Sequence, residues 1–155
     1  MADVNDVAAA IIAKQGPMTA MKLEKLTYYS QAWHATWEDN ALFPSRIEAW
    51  RNGPVCLDLY AQHRGEFQVD SWPSGNAERL EPNELESIEI VLNNYGELSA
   101  QQLSDLTHAE GPWKQARTGL EPFERGNAEI TVDSMVEFYS TLLSESSDDL
   151  AATDR

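Results

Sequence analysis

The sequence predicts a mainly α-helical, compact single domain of five to seven helices with a minor, short β element at about residues 46–51 and 66–72. Three observations predict it. Apolar residues recur at helical three- and four-residue spacing in separate segments, capping and stop signals bracket those segments, and only two short stretches alternate. With 155 residues the chain can bury one sizeable core.

Val4, Val7, Ala8, Ile11 and Ile12 share one helical face, and Gly16-Pro17 stops that helix. Thr19 is a cap for the next, with Met18 and Leu23 as its hydrophobic staple. This second helix runs to about Glu38, and Leu23, Leu26, Ser30, Trp33 and Trp37 form its core stripe. Ile47 to Trp50 alternate as a strand before Asn52-Gly53-Pro54. Pro54 suits the first turn of a third helix, expected from Pro54 to about Arg64. Glu66 to Trp72 alternate again and are expected to pair with the first strand.

Pro82 opens a helix burying Leu85, Ile88, Val91, Leu92 and Tyr95, with Gly96 as its stop. Ser99 and Gln102 form a capping box. Gly111-Pro112 starts a short helix through Trp113 to Arg117, and residues 118–127 read as a loop. The last helix starts near Thr131 or Asp133 and is expected to bury Val132, Met135, Val136, Tyr139, Leu142 and Leu143. Residues 1–143 form the expected domain. Residues 144–155, small, polar and acidic, read as a solvated, disordered tail.

The net charge is −15, and it is uneven: residues 1–77 carry nine acids and six bases, residues 78–155 seventeen and five. Such a surface repels phosphate backbones and anionic membranes, so neither nucleic acid nor membrane is an expected partner. It suits a basic protein partner, mimicry of nucleic acid, or solubility alone. No apolar run reaches the roughly 20 residues of a bilayer span. Acids stand where a secretory signal carries bases, so a cytoplasmic location is expected.

Catalytic constellations are thin. Cys56 and His63 fall two turns apart on one predicted helix, about 10 Å, too far for direct proton transfer. A lone cysteine excludes an intramolecular disulfide and a multi-thiolate metal site. His34, His63 and His108 lack close ligand pairs, and no phosphate-cradling or serine-hydrolase motif is present. No enzyme, metal or cofactor is expected. Large side chains do cluster at two turns, around Trp50-Arg51-Asn52 and around Trp113. They either lock these corners by packing or form a binding surface, since Trp, Tyr and Arg dominate interface hot spots. Lys25, Glu48, Arg51 and Arg117 are read as buried ions joining helices or as the polar centre of a partner site.

The run from Lys22 to Trp33, with Leu23, Lys25, Leu26, Tyr28 and Tyr29, resembles the KLQKLLYYAQGW-like opening of the Panacea antitoxin domain, the SocA-like and phage-associated GepA-like family. Leu42-Phe43, the Ile47–Val55 segment with Glu48, Gly53 and Pro54, Leu59-Tyr60, and Leu103–His108 with Pro112 and Trp113 continue the resemblance in order. It departs at Thr27, where the family carries an aliphatic residue. The resemblance implies a helical, non-enzymatic antitoxin that neutralises a cognate protein toxin by direct contact. It further implies a translation-blocking toxin, such as a small alarmone synthetase that modifies tRNA. Such a toxin needs a basic surface, and the acids Glu84, Glu86 and Glu89 are candidates to face it. Trp50, Arg51, Asn52, Tyr60 and Trp113 complete the candidate interface. Two alternatives are an adaptor that delivers the toxin to a cellular protease, and an acidic nucleic-acid mimic of phage origin.

Overall fold

A computed structural model of the chain describes the backbone of residues 1–153 and the side chains of residues 1–145. Among these residues seven α-helices surround two two-stranded antiparallel ribbons. Helix α1 (Val4–Gln15) starts on Asp3, whose carboxylate accepts the Asn5 N–H, and stops at Gly16 with φ +84°. The two-residue strand β1 (Met18–Thr19) leads into α2 (Ala20–Glu38), where the Thr19 hydroxyl accepts the Lys22 N–H. Then come β2 (Ile47–Trp50), β3 (Gly53–Cys56), α3 (Leu57–His63) and β4 (Gln68–Val69). A 3₁₀ turn (Ala77–Arg79) precedes α4 (Pro82–Tyr95), α5 (Ala100–Ala109), α6 (Gly111–Ala116) and α7 (Val132–Thr153). No described helix is long and apolar enough to cross a membrane.

Helix α2 is the hub, packed against α1, α4, α5, α7 and β3. It is buried on more than the expected stripe. Tyr28, Tyr29, Ala32 and Ala35 are buried beside Leu23 and Leu26, whereas Trp33 and Trp37 are half-buried at its edge. Its buried polar residues tie other segments down. Gln31 accepts the Leu42 N–H at 2.8 Å and donates to the Phe43 carbonyl at 2.8 Å, fixing the approach to β2. His34 Nδ1 meets the Ser87 hydroxyl of α4 at 2.8 Å, and Lys22 donates to the Gly96 carbonyl at the C-terminus of α4. A cation there is favourable, because helix carbonyls lack partners at that end.

The β pairing differs from the sequence expectation. Strand β2 pairs with β3, in register Ile47↔Cys56 through Trp50↔Gly53, and β4 pairs with β1 as Met18↔Val69 and Thr19↔Gln68. Arg51 and Asn52 form a tight turn that Gly53 completes at φ +121°, so the neighbouring segment reaches β2 first and at little loop-closure cost. The other edge of β2 is occupied as well, since Ala49 N–H donates to the Ala128 carbonyl and Ile130 N–H to the Ile47 carbonyl. Pro54 therefore lies in a strand, and α3 begins three residues later than expected. Its missing N–H breaks no ladder bond, because it faces Ala49, whose own N–H points the other way.

One further expectation is revised at the C-terminal end. Leu143 is exposed rather than buried, one turn beyond Tyr139. The backbone of α7 continues across the expected domain boundary at residue 143, while the side chains from residue 146 onward lie outside the described residues.

Candidate functional site

A cleft of about 980 Å³ opens between the N-terminal part of α2, the β2–β3 hairpin, α3 and the loop of residues 118–127. The hairpin contributes Glu48, Trp50, Arg51 and Asn52, and α3 contributes Tyr60 and His63. Glu24 and Lys25 form the α2 side, and Arg125, Gly126 and Asn127 close the remaining wall.

Glu24 positions α3. It is buried, with Oε1 accepting the Cys56 N–H at 2.8 Å and Oε2 meeting His63 Nε2 at 2.8 Å, so one carboxylate holds both ends of a seven-residue helix. Cys56 and His63, separated on the chain, are thus brought to the same acid. The thiol is nonetheless no nucleophile, because burial pushes its pKa up to about 12. Among the described residues no group of three or more His, Cys, Asp or Glu is arranged to hold a metal ion.

Glu48 fixes the hairpin wall. Its Oε1 accepts from Trp50 Nε1 and its Oε2 from Arg46 Nε, both at 2.9 Å. The Trp50 ring then meets Tyr60 edge-on at 4.9 Å, and Tyr60 meets His63 at 5.4 Å. Lys25, only 1% exposed, lies under Gly53 and donates to the Pro54 carbonyl at 3.0 Å. Burial lowers its pKa to about 8, with the Glu24 charge acting in the opposite direction.

Arg117 holds the fourth wall. Buried over the face of Trp113, it donates to the Ala49 carbonyl at 3.0 Å and to the carbonyls of Glu121 and Glu124, folding the 118–127 loop back onto β2. Trp113 itself is buried, stacked on His108 at 3.9 Å, with its Nε1 bonded to the Trp50 carbonyl at 2.8 Å. Burial lowers the pKa of His108 and keeps it neutral near pH 7. Pro112 is buried at the start of α6.

Sequence reasoning placed Trp50, Arg51, Asn52 and Tyr60 among the candidate contacts, and the fold gathers all four around one cleft. Arg51 is exposed rather than buried, and Trp113 lies beneath the hairpin. The acids of α4 do not form one free row. Glu84 is buried and bonded to the Glu81 N–H as half of a capping box, Glu89 pairs with Lys14 at 2.7 Å, and Glu86 is exposed. No sequence motif assigns a role to Glu110. Buried, it accepts from Tyr29 at 2.7 Å and Tyr139 at 2.8 Å, and Tyr28 meets Tyr139 at 3.1 Å, so a polar knot ties α2 to α7. Burial raises the pKa values of Glu110 and the tyrosines alike.

Residues 23–114, more than half of the chain, match the SocA-like antitoxin, Panacea domain family. The chain belongs to this family. No curated protein and no solved structure matches it. The matched region carries α2, the hairpin, α3, α4 and α5, and therefore three of the four sides of the cleft. The Arg125–Asn127 wall lies outside it. Membership in the Panacea family supports an antitoxin role, implies a protein toxin as partner, and points to a regulator rather than an enzyme.

Proposed function

We propose that this Panacea-domain protein neutralises a cognate protein toxin by direct, stoichiometric binding in the cytoplasm, with the cleft as the principal contact. The observation that carries this reading is the convergence of Trp50, Arg51, Asn52 and Tyr60 around one opening. Trp, Tyr and Arg are the residue types that dominate binding energies at interfaces, and Arg51 and Asn52 are exposed at the hairpin tip. The family resemblance points to a translation-blocking toxin, such as a tRNA-modifying small alarmone synthetase. The phosphate-facing surface of such a toxin is basic, which suits a partner of net charge −15.

The test is co-expression with the product of the adjacent gene, once that product is shown to arrest growth by itself, read as rescue of growth. Wild type is expected to rescue; absence of rescue overturns the reading. Tyr60→Ala and Asn52→Arg are expected to lose rescue while keeping the circular dichroism spectrum of wild type. Glu86→Lys tests the acidic face of α4: if it abolishes rescue while the cleft variants retain it, the contact lies on α4 and not at the cleft.

A further inference from the structure

The cleft is charged in a way that the net charge of the protein does not foretell. Among the described residues, Arg51 and Arg125 make no side-chain hydrogen bond and no ion pair, and Lys25 has a carbonyl for its partner with no carboxylate within 4.0 Å. Two of the three lining carboxylates are already engaged: Glu24 by Cys56 and His63, Glu48 by Arg46 and Trp50. Glu66, exposed at the rim, has no such partner among the described residues. Arg51 and Arg125 are thus left without a side-chain partner, whereas Lys25 feels the neighbouring Glu24 charge. Arg51 and Arg125 come from two different loops that flank the opening, and the buried ammonium of Lys25 acts beneath them through a medium that screens little.

Exposed apolar side chains lie in or next along the chain to the lining segments. Met21 lines the cleft and is 38% exposed, Phe67 follows the lining residue Glu66 and is 81% exposed, and Phe123 stands two residues before Arg125 and is 71% exposed. These are three of the five large hydrophobic side chains exposed among the described residues. Met21 stands in the lining itself, and Phe67 and Phe123 follow or precede lining residues by one or two positions, so exposed apolar side chains accompany two of the segments that form the cleft.

We infer that the cleft receives a carboxylate side chain of the toxin, flanked by apolar residues, and holds it between Arg51 and Arg125 above the charge of Lys25. The inference rests on the cleft being the toxin contact. A guanidinium fits a carboxylate in bidentate geometry, the anionic side chains of a protein partner are carboxylates, and Met21, Phe67 and Phe123 suit a polypeptide segment better than a free anion. The wall that carries Arg125 lies outside the family match, so this chain's own sequence supplies half of the clamp.

Two measurements test it. The first uses the chain alone, ¹³C-labelled at its four lysines, Lys14, Lys22, Lys25 and Lys114. It is titrated with N-acetyl-Phe-Asp-Phe-amide and, separately, with the Asn analogue. The aspartyl peptide is expected to move the Lys25 signal and raise its titration midpoint from about 8, and the Asn peptide to leave both in place. The titratable groups near Lys25 are Glu24 on α2, Glu48 on β2 and His108 on α5, and they are common to both titrations. Equal effects of the two peptides, equal shifts of all four lysines, or no shift of Lys25 overturn the inference. The second compares toxin affinity of wild type with Arg51→Gln/Arg125→Gln, whose altered side chains are exposed, and with Lys25→Met. About tenfold or greater weakening is expected for each, and unchanged affinity of the double variant overturns the inference. If wild type itself fails to bind the toxin, the toxin-contact reading falls, and the peptide titration still decides whether the cleft prefers a carboxylate.

Discussion

Thr27 is fully buried in α2, and its hydroxyl has no hydrogen-bond partner among the described residues. An unsatisfied buried hydroxyl is destabilising, and valine has the same shape without it. Thr27→Val is therefore expected to stabilise the protein by about 1 kcal/mol, measured as a higher urea midpoint at unchanged slope. Lys25 gives a prediction in pH. Its pKa falls from 10.5 in the unfolded chain to about 8 in the folded one, so between these values the unfolded chain binds more protons and stability rises with pH. The gain is on the order of 2 kcal/mol from pH 8 to about 9.5, and it is lost as pH falls back from there to 8. Above pH 10 the buried tyrosines oppose it, because their raised pKa values favour the folded form only while protonated. Denaturation of wild type and Lys25→Met across this range isolates the effect, which is expected to vanish in the variant. At this scale the sequence marked Thr27 and Lys25 as unusual. It held no sign that one lacks a partner and that the other is a buried ammonium held by the Pro54 carbonyl, because both depend on neighbours distant along the chain.

At the scale of elements, the helices followed local signals and the ribbons did not. The capping box of Ser99 and Gln102 forms as read, with the Ser99 hydroxyl accepting the Gln102 N–H at 3.1 Å. Ser99→Ala is expected to cost about 1 kcal/mol, seen as a lower thermal midpoint. Gly53 combines a φ of +121° with a space in which a Cβ would lie 2.5 Å from Lys25 Cε. The positive φ strains any side chain there, and displacing Lys25 would cost its bond to the Pro54 carbonyl, so Gly53→Ala is expected to destabilise by about 2 kcal/mol or more and to weaken toxin binding by displacing the hairpin tip. The two alternating stretches were legible, but their partners were not. A strand of two to four residues carries too little pattern to choose its neighbour, and the choice fell to the turn at Arg51-Asn52 and to residues 128–130 on the far edge of β2.

At the scale of the whole molecule, the proposed toxin contact assigns the charge of −15 and the two cleft arginines to different steps of association. Long-range fields govern encounter, and desolvated contacts govern dissociation. Raising the salt concentration is therefore expected to lower the association rate with a basic toxin, while Arg51→Gln/Arg125→Gln raises the dissociation rate; stopped-flow and surface-binding kinetics separate the two. By itself the sequence determined the helical class, most helix boundaries, the family and the residues around the hairpin tip, because caps, stops and motif spacing act within a few residues. Only the tertiary structure decided that Glu24 clamps α3, that Arg117 carries the 118–127 loop to β2, that Glu84 is a cap rather than a surface acid, and that Arg51 and Arg125, distant in the chain, line one cleft. Each of these is a contact or a field between residues far apart in the chain, and such terms exist only once α2 is enclosed by its neighbours.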